Sequence, residues 1–70
     1  MDAVEIREMS SEDIELELND AREELMRLRF QTTTGELTDH NQMKYVRKKI
    51  ARLLTVLRER ELAAELEGDA

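Results

Sequence analysis

A chain of 70 residues with no cysteine and no proline makes one small domain, too short to enclose much of a core and without a disulfide framework or a thiolate metal site. Charged residues make up 40% and aromatics 3%, a balance rich in Glu, Arg and Leu that suits long helices and not sheets. No apolar run approaches the roughly 20 residues of a membrane span, and the acidic start "MDAVEIREMS" is unlike a signal peptide, so the cytosol is the expected compartment.

The first predicted element is a short helical turn in "DAVEIRE", with Ile6 and Met9 covering the open end of the longer helices. Ser10, with Asp13 three residues on, resembles a capping box, and Met9 before the cap can staple against Ile14 after it. From there Ile14, Leu18, Ala21, Leu25, Leu28 and Thr32 recur in steps of four and three, the narrow apolar seam of coiled-coil packing. This predicts a helix over about Ser11 to Thr34, roughly 36 Å long at 1.5 Å per residue. Gly35 is its natural left-handed stop, and "TTTG", without the glycine spacing of a phosphate loop, reads as helix end and turn.

Thr38 or Asp39 then caps a second helix, expected from about Asp39 to Leu62, whose seam is Met43, Val46, Ile50, Leu53 and Leu57. With about five residues between them the two helices must run antiparallel. Leu25 and Leu28 are expected to face Val46, Ile50 and Leu53. The fold class is therefore all-α, a helical hairpin occupying residues 1–70 as a single domain, with residues 63–70 expected to fray. Such a hairpin is marginal by itself and reads as a component of something larger.

Net charge is −6, which read alone argues against nucleic acid; its distribution does not. Residues 1–24 hold ten acids against Arg7 and Arg22, residues 25–60 hold nine bases against Glu36, Asp39 and Glu59, and residues 61–70 are acidic again. Folding at Gly35 brings Arg27 and Arg29 toward Lys44, Arg47, Lys48 and Lys49, so positive charge gathers at the turn end and carboxylates at the open end. At 100° per residue, Lys44, Lys48 and Arg52 form a stripe pointing away from the seam, flanked by Arg47. Such a stripe either keeps a helix soluble or contacts phosphates, and its clustering without intervening acids favours the second use. Only Phe30 and Tyr45 offer aromatic stacking, so recognition of RNA by shape and backbone is expected.

Little supports catalysis or cofactor binding. The one histidine, His40, reads as a solvated side chain near a helix start, and the carboxylates of "SSEDIELELNDAREE" lack the loop and glycine of a calcium site. Phe30 is anomalous: it lies opposite the seam, with Met26 one turn before it. It either folds against the turn near Leu37 or, with Met26, contacts a neighbouring protein or RNA; a protein contact is the expectation.

"EELMRLRFQTTTGEL" followed by "VRKKIARLLTVLRERE" closely resembles the bacterial large-subunit ribosomal protein number twenty-nine family, from about Glu5 to Glu61. The elements that carry the resemblance are Leu28-Arg29-Phe30-Gln31, Gly35 with Leu37, and Arg47 through Ile50-Ala51-Arg52, in this order and spacing. The resemblance implies a non-enzymatic helical hairpin that binds large-subunit ribosomal RNA. It implies a place at the rim of the polypeptide exit tunnel, beside ribosomal protein number twenty-three and near where chaperones and targeting factors dock. Arg29, Gln31, Arg47 and Arg52 fall on basic or polar family positions; Arg27, Lys44, Lys48 and Lys49 extend the same patch. The chain is more acidic than the family pattern, and that acidity falls on the N-terminal half. A freestanding antiparallel coiled-coil adaptor shares the seam, charge and length, though not the ordered motifs.

Overall fold

The computed structural model describes residues 2–35 and 40–68, which form three helices: α1 (Ala3–Arg7), α2 (Ser11–Thr33) and α3 (Asn41–Gly68). α2 and α3 pack along each other as the expected hairpin, and α1 folds back against α3 at the open end. The result is a rod of 54 × 19 × 16 Å.

Local chemistry sets the boundaries. The Asp2 carboxylate accepts from the Glu5 amide at 3.0 Å to start α1, and Ser10 Oγ accepts from the Asp13 amide at 3.1 Å to start α2. At the other end of α2 each threonine hydroxyl turns back onto the helix: Thr32 donates to the Leu28 carbonyl, Thr33 to Arg29 and Thr34 to Gln31, at 3.0, 3.0 and 3.1 Å. The Thr34 and Gly35 amides take the Phe30 and Thr32 carbonyls, so the last turn leaves no bare acceptor among Phe30, Gln31 and Thr32. Gly35 sits at φ +79°, the left-handed stop that its position predicted. An added Cβ there would meet nothing within 4 Å, so Gly35→Ala tests backbone strain alone. It is expected to cost about 1 kcal/mol, read from the denaturant midpoint, and an unchanged midpoint would mean the turn can relax. The expected Thr38 or Asp39 cap lies outside the described residues.

The core forms two clusters. Near the turn, Ala21, Leu25 and Leu28 of α2 meet Met43 and Val46 of α3; toward the open end, Ile14 and Leu18 meet Leu53, Val56 and Ile6 of α1. Ile50 is half-buried and packs against both. Two expectations are corrected here. Leu53 faces Ile14, Leu18 and Ile6 and not Leu25 and Leu28, because the two helices are staggered so that Leu25 and Leu28 meet Met43 and Val46. Val56, which the alternating steps pass over, is buried while Leu57 is only partly so, because Ile6 approaches α3 from outside the hairpin seam. Thr32 closes the seam as a polar residue, its Oγ1 3.4 Å from Met43 Sδ.

α3 runs on to Gly68, past the expected end at Leu62. "ELAAELE" consists of strong helix formers, and nothing before Gly68 breaks the pattern. Its residues from Glu61 onward are exposed, so this stretch projects beyond the hairpin.

One arginine ties the open end together. Arg60 donates from Nη1 to Ser11 Oγ at 2.9 Å, and from Nη2 to the carbonyls of Met9 at 2.7 Å and Arg7 at 3.2 Å. The guanidinium thereby satisfies acceptors left bare between α1 and α2. Beside it, Arg7 forks onto Glu59 through Nε at 3.4 Å and Nη2 at 3.1 Å. That hydrogen bond, and then the charge of Glu59, raises the pKa of Arg7 above its ordinary value. This pair is solvent-exposed and adds little. Arg60→Gln should therefore release α1: amide exchange of Ala3–Arg7 should accelerate while that of α2 next to Leu25 stays slow. Uniform acceleration along both long helices would show instead that Arg60 supports the whole hairpin.

Candidate nucleic-acid interface

The seam decides where the cations go. Because Met43 and Val46 face α2, Lys44, Lys48 and Arg52 lie on the outer side of α3 with Arg47 on its flank, and Lys44, Arg47, Lys48 and Arg52 are exposed or partly exposed. Among the described residues no ion pair engages Lys44, Arg47 or Lys48. On α2, Arg27 and Arg29 flank the buried Leu28 and are both exposed. Since Leu28, Met43 and Val46 share one cluster, these arginines stand level with the start of the α3 stripe.

Two members of the expected patch are placed differently. Lys49, three residues after Val46, lies at the edge of the seam, where Nζ sits 3.2 Å from Glu17 of α2. With its side chain only 22% exposed, it braces the hairpin and does not present its charge outward. Gln31 is half-buried near the end of α2. Arg58 and Arg60, counted in the basic segment, turn to Glu61 at 3.1 Å and to the α1–α2 junction.

From Leu25 to Gly35 and from His40 to Arg58 the described chain holds no carboxylate, so the remaining charges of these two stretches are positive. Glu36 and Asp39, the turn acids, lie outside the described residues. Phosphates approaching this end meet several long cationic side chains on a rigid support, the arrangement that backbone contacts require. His40 is exposed. Among the described residues no group of three or more His, Asp or Glu could hold a metal ion, and no helix is long and apolar enough to cross a membrane.

Met26 and Phe30 are exposed at 67% and 68%, and with Glu23 and Arg27 they line an open apolar hollow on the outer face of α2. Leu37, against which Phe30 was alternatively expected to fold, lies outside the described residues. Sequence reasoning missed the role of Arg60, whose signal was the short helix opposite it with carbonyls to satisfy.

A family model described as "Ribosomal L29 protein" matches residues 4–60, nearly all of the hairpin. The chain belongs to the ribosomal L29 protein family. Relatives named "Large ribosomal subunit protein uL29" include that of Streptomyces coelicolor, 51% identical over 63 residues, covering 90% of this chain and 85% of the relative. That of Corynebacterium urealyticum is 49% identical over 70 residues, covering 97% and 91%. That of Natranaerobius thermophilus is 52% identical over 62 residues, covering 89% and 95%. Membership of the L29 family carries a structural, non-enzymatic role in the ribosome.

Proposed function

We propose that this chain is a structural constituent of the large ribosomal subunit in the cytoplasm, binding ribosomal RNA through its turn end near the polypeptide exit tunnel. The observation that carries the reading is the outward-facing set of Arg27, Arg29, Lys44, Arg47, Lys48 and Arg52, with no carboxylate in the described stretches that hold it, in a chain whose relatives are large-subunit proteins. Gln31 borders this set. Lys49, held by Glu17, supports the surface from behind. The acidic open end suits protein neighbours, because phosphate repels carboxylates and burying that end in RNA would require bound cations. Ribosomal protein number twenty-three is the neighbour that the family implies, and chaperones or targeting factors at the tunnel exit are the visitors.

The test is sedimentation. The protein is expected to travel with large ribosomal subunits through a sucrose gradient and to leave them only at high salt, as counterion release dictates. Free elution at every salt concentration would overturn this reading and favour a freestanding antiparallel coiled-coil adaptor.

A further inference from the structure

Among the described residues the core is built wholly of Ile, Leu, Val, Ala and Met, and several aliphatic side chains, Leu16 and Leu54 among them, stay outside it. The sequence has one Phe and one Tyr and no Trp, and neither ring enters that core: Phe30 is 68% exposed and Tyr45 58%. Rings of this size are the largest single contributions a marginal core can recruit, so leaving both outside forgoes stability. Their placement is not scattered. Tyr45 lies between Met43 and Val46 on α3 and Phe30 two residues beyond Leu28 on α2; Leu28, Met43 and Val46 form one cluster, so both rings belong to the half of the rod nearer the turn. That half carries no carboxylate from Leu25 to Gly35 or from His40 to Arg58 among the described residues. Each ring also has a cation one helical turn away, Arg27 for Phe30 and Lys48 for Tyr45.

We infer that Phe30 and Tyr45 are stacking platforms for unpaired nucleotides, so that the turn end grips a loop or bulge of the RNA and not a plain duplex. The inference rests on the RNA-binding reading above and adds to it a kind of nucleotide and two residues that take it. A base laid on an aromatic face places its own phosphate within the reach of a long cationic side chain, which is the combination that single-stranded RNA recognition uses. At Phe30 the hollow supplies the rest: Met26 extends the apolar floor, Arg27 offers a charge for the phosphate, and the Glu23 carboxylate offers an acceptor for a base edge. Glu23 lies at the edge of the hollow, and from Leu25 to Gly35 the helix carries no acid, so the charge nearest Phe30 is that of Arg27 and Arg29. RNA brings one negative charge with every nucleotide.

The experiment is footprinting of large-subunit ribosomal RNA by the full chain. Hydroxyl radicals report the backbone, and dimethyl sulfate reports exposed base edges. Phe30→Ala and Tyr45→Ala, both at exposed positions, should keep the wild-type circular dichroism. Each should lower RNA affinity between about five-fold and about a hundred-fold, the range that base–aromatic stacking gives. Each should also change dimethyl sulfate reactivity at one or two unpaired nucleotides while the backbone footprint persists. Tyr45→Phe should behave like wild type. If both alanine variants keep wild-type affinity and base reactivity while the wild-type backbone footprint is present, the stacking inference is wrong and the backbone reading stands. A wild-type chain that leaves no footprint overturns both. If Phe30→Ala leaves the RNA untouched but loosens a neighbouring protein in reconstituted subunits, the hollow is a protein contact.

Discussion

Reversing Lys44, Arg47 and Lys48 to glutamate is expected to reduce affinity for large-subunit RNA by on the order of a hundred-fold or more, since three attractive charges become three repulsive ones at a phosphate surface. None of the three side chains is buried, so helicity should hardly change. Alanine at the same positions should flatten the plot of log affinity against log salt by roughly 0.7–0.9 for each phosphate no longer neutralised. Neutralising Glu12, Glu15, Asp20 and Glu24 should leave affinity unchanged or raise it slightly. Equal affinity for the triple reversal and the parent would reduce the patch to a solubilising surface; loss of binding in the acidic variants alone would reverse the proposed orientation.

The second large effect is on folding. Leu53 is fully buried where all three helices meet, among Ile6, Ile14, Leu18 and Val56. Leu53→Ala should cost roughly 2–5 kcal/mol, as cavity-forming substitutions do. A core of this size supplies only about 3–5 kcal/mol, so the isolated variant should lose its cooperative melting transition by circular dichroism. Leu66→Ala, at a position 73% exposed, should leave the transition where it was. Saturating RNA should restore helicity to the Leu53 variant, because a ligand that binds only the folded state stabilises it by mass action. A wild-type midpoint for Leu53→Ala would show that the three-helix junction closes around the gap.

The hairpin was legible because its information is local. Ile14, Leu18, Ala21, Leu25 and Leu28 announce a face through spacing alone, and Ser10 and Gly35 mark boundaries through backbone chemistry that needs no distant partner. Val56 was not legible, since what buries it is Ile6, about fifty residues away in sequence, on a short helix with no long periodicity of its own. Register was also hidden: spacing names the faces of two helices, but not the stagger between them, which decides whether Leu53 meets Leu25 or Leu18. Charge was legible as a block and not as individual roles. Lys49 and Arg60 look like their basic neighbours, yet one turns inward to Glu17 and the other to backbone carbonyls. In Lys49 the cue was present, because a residue three after a seam position stands at the seam's edge. The family motif carried the functional reading, and Tyr45 shows its limit: it lies outside the ordered elements that carried the resemblance, and its aromatic ring and its exposure are what draw notice.

The basic and acidic blocks lie toward opposite ends of a rod 54 Å long, and their centres are separated by more than one Debye length of about 8 Å at physiological ionic strength. The molecule is therefore an electric dipole as well as a lever. In the field of a polyanion such a body turns before it touches: torque aligns the basic tip with the RNA while the acidic tip is pushed away. The search for the correct docking angle is then partly completed during approach. Salt should slow arrival more steeply than net charge suggests, because an overall charge of −6 alone implies repulsion. A variant with the same net charge but its acids moved to the turn end would keep the composition and lose the alignment.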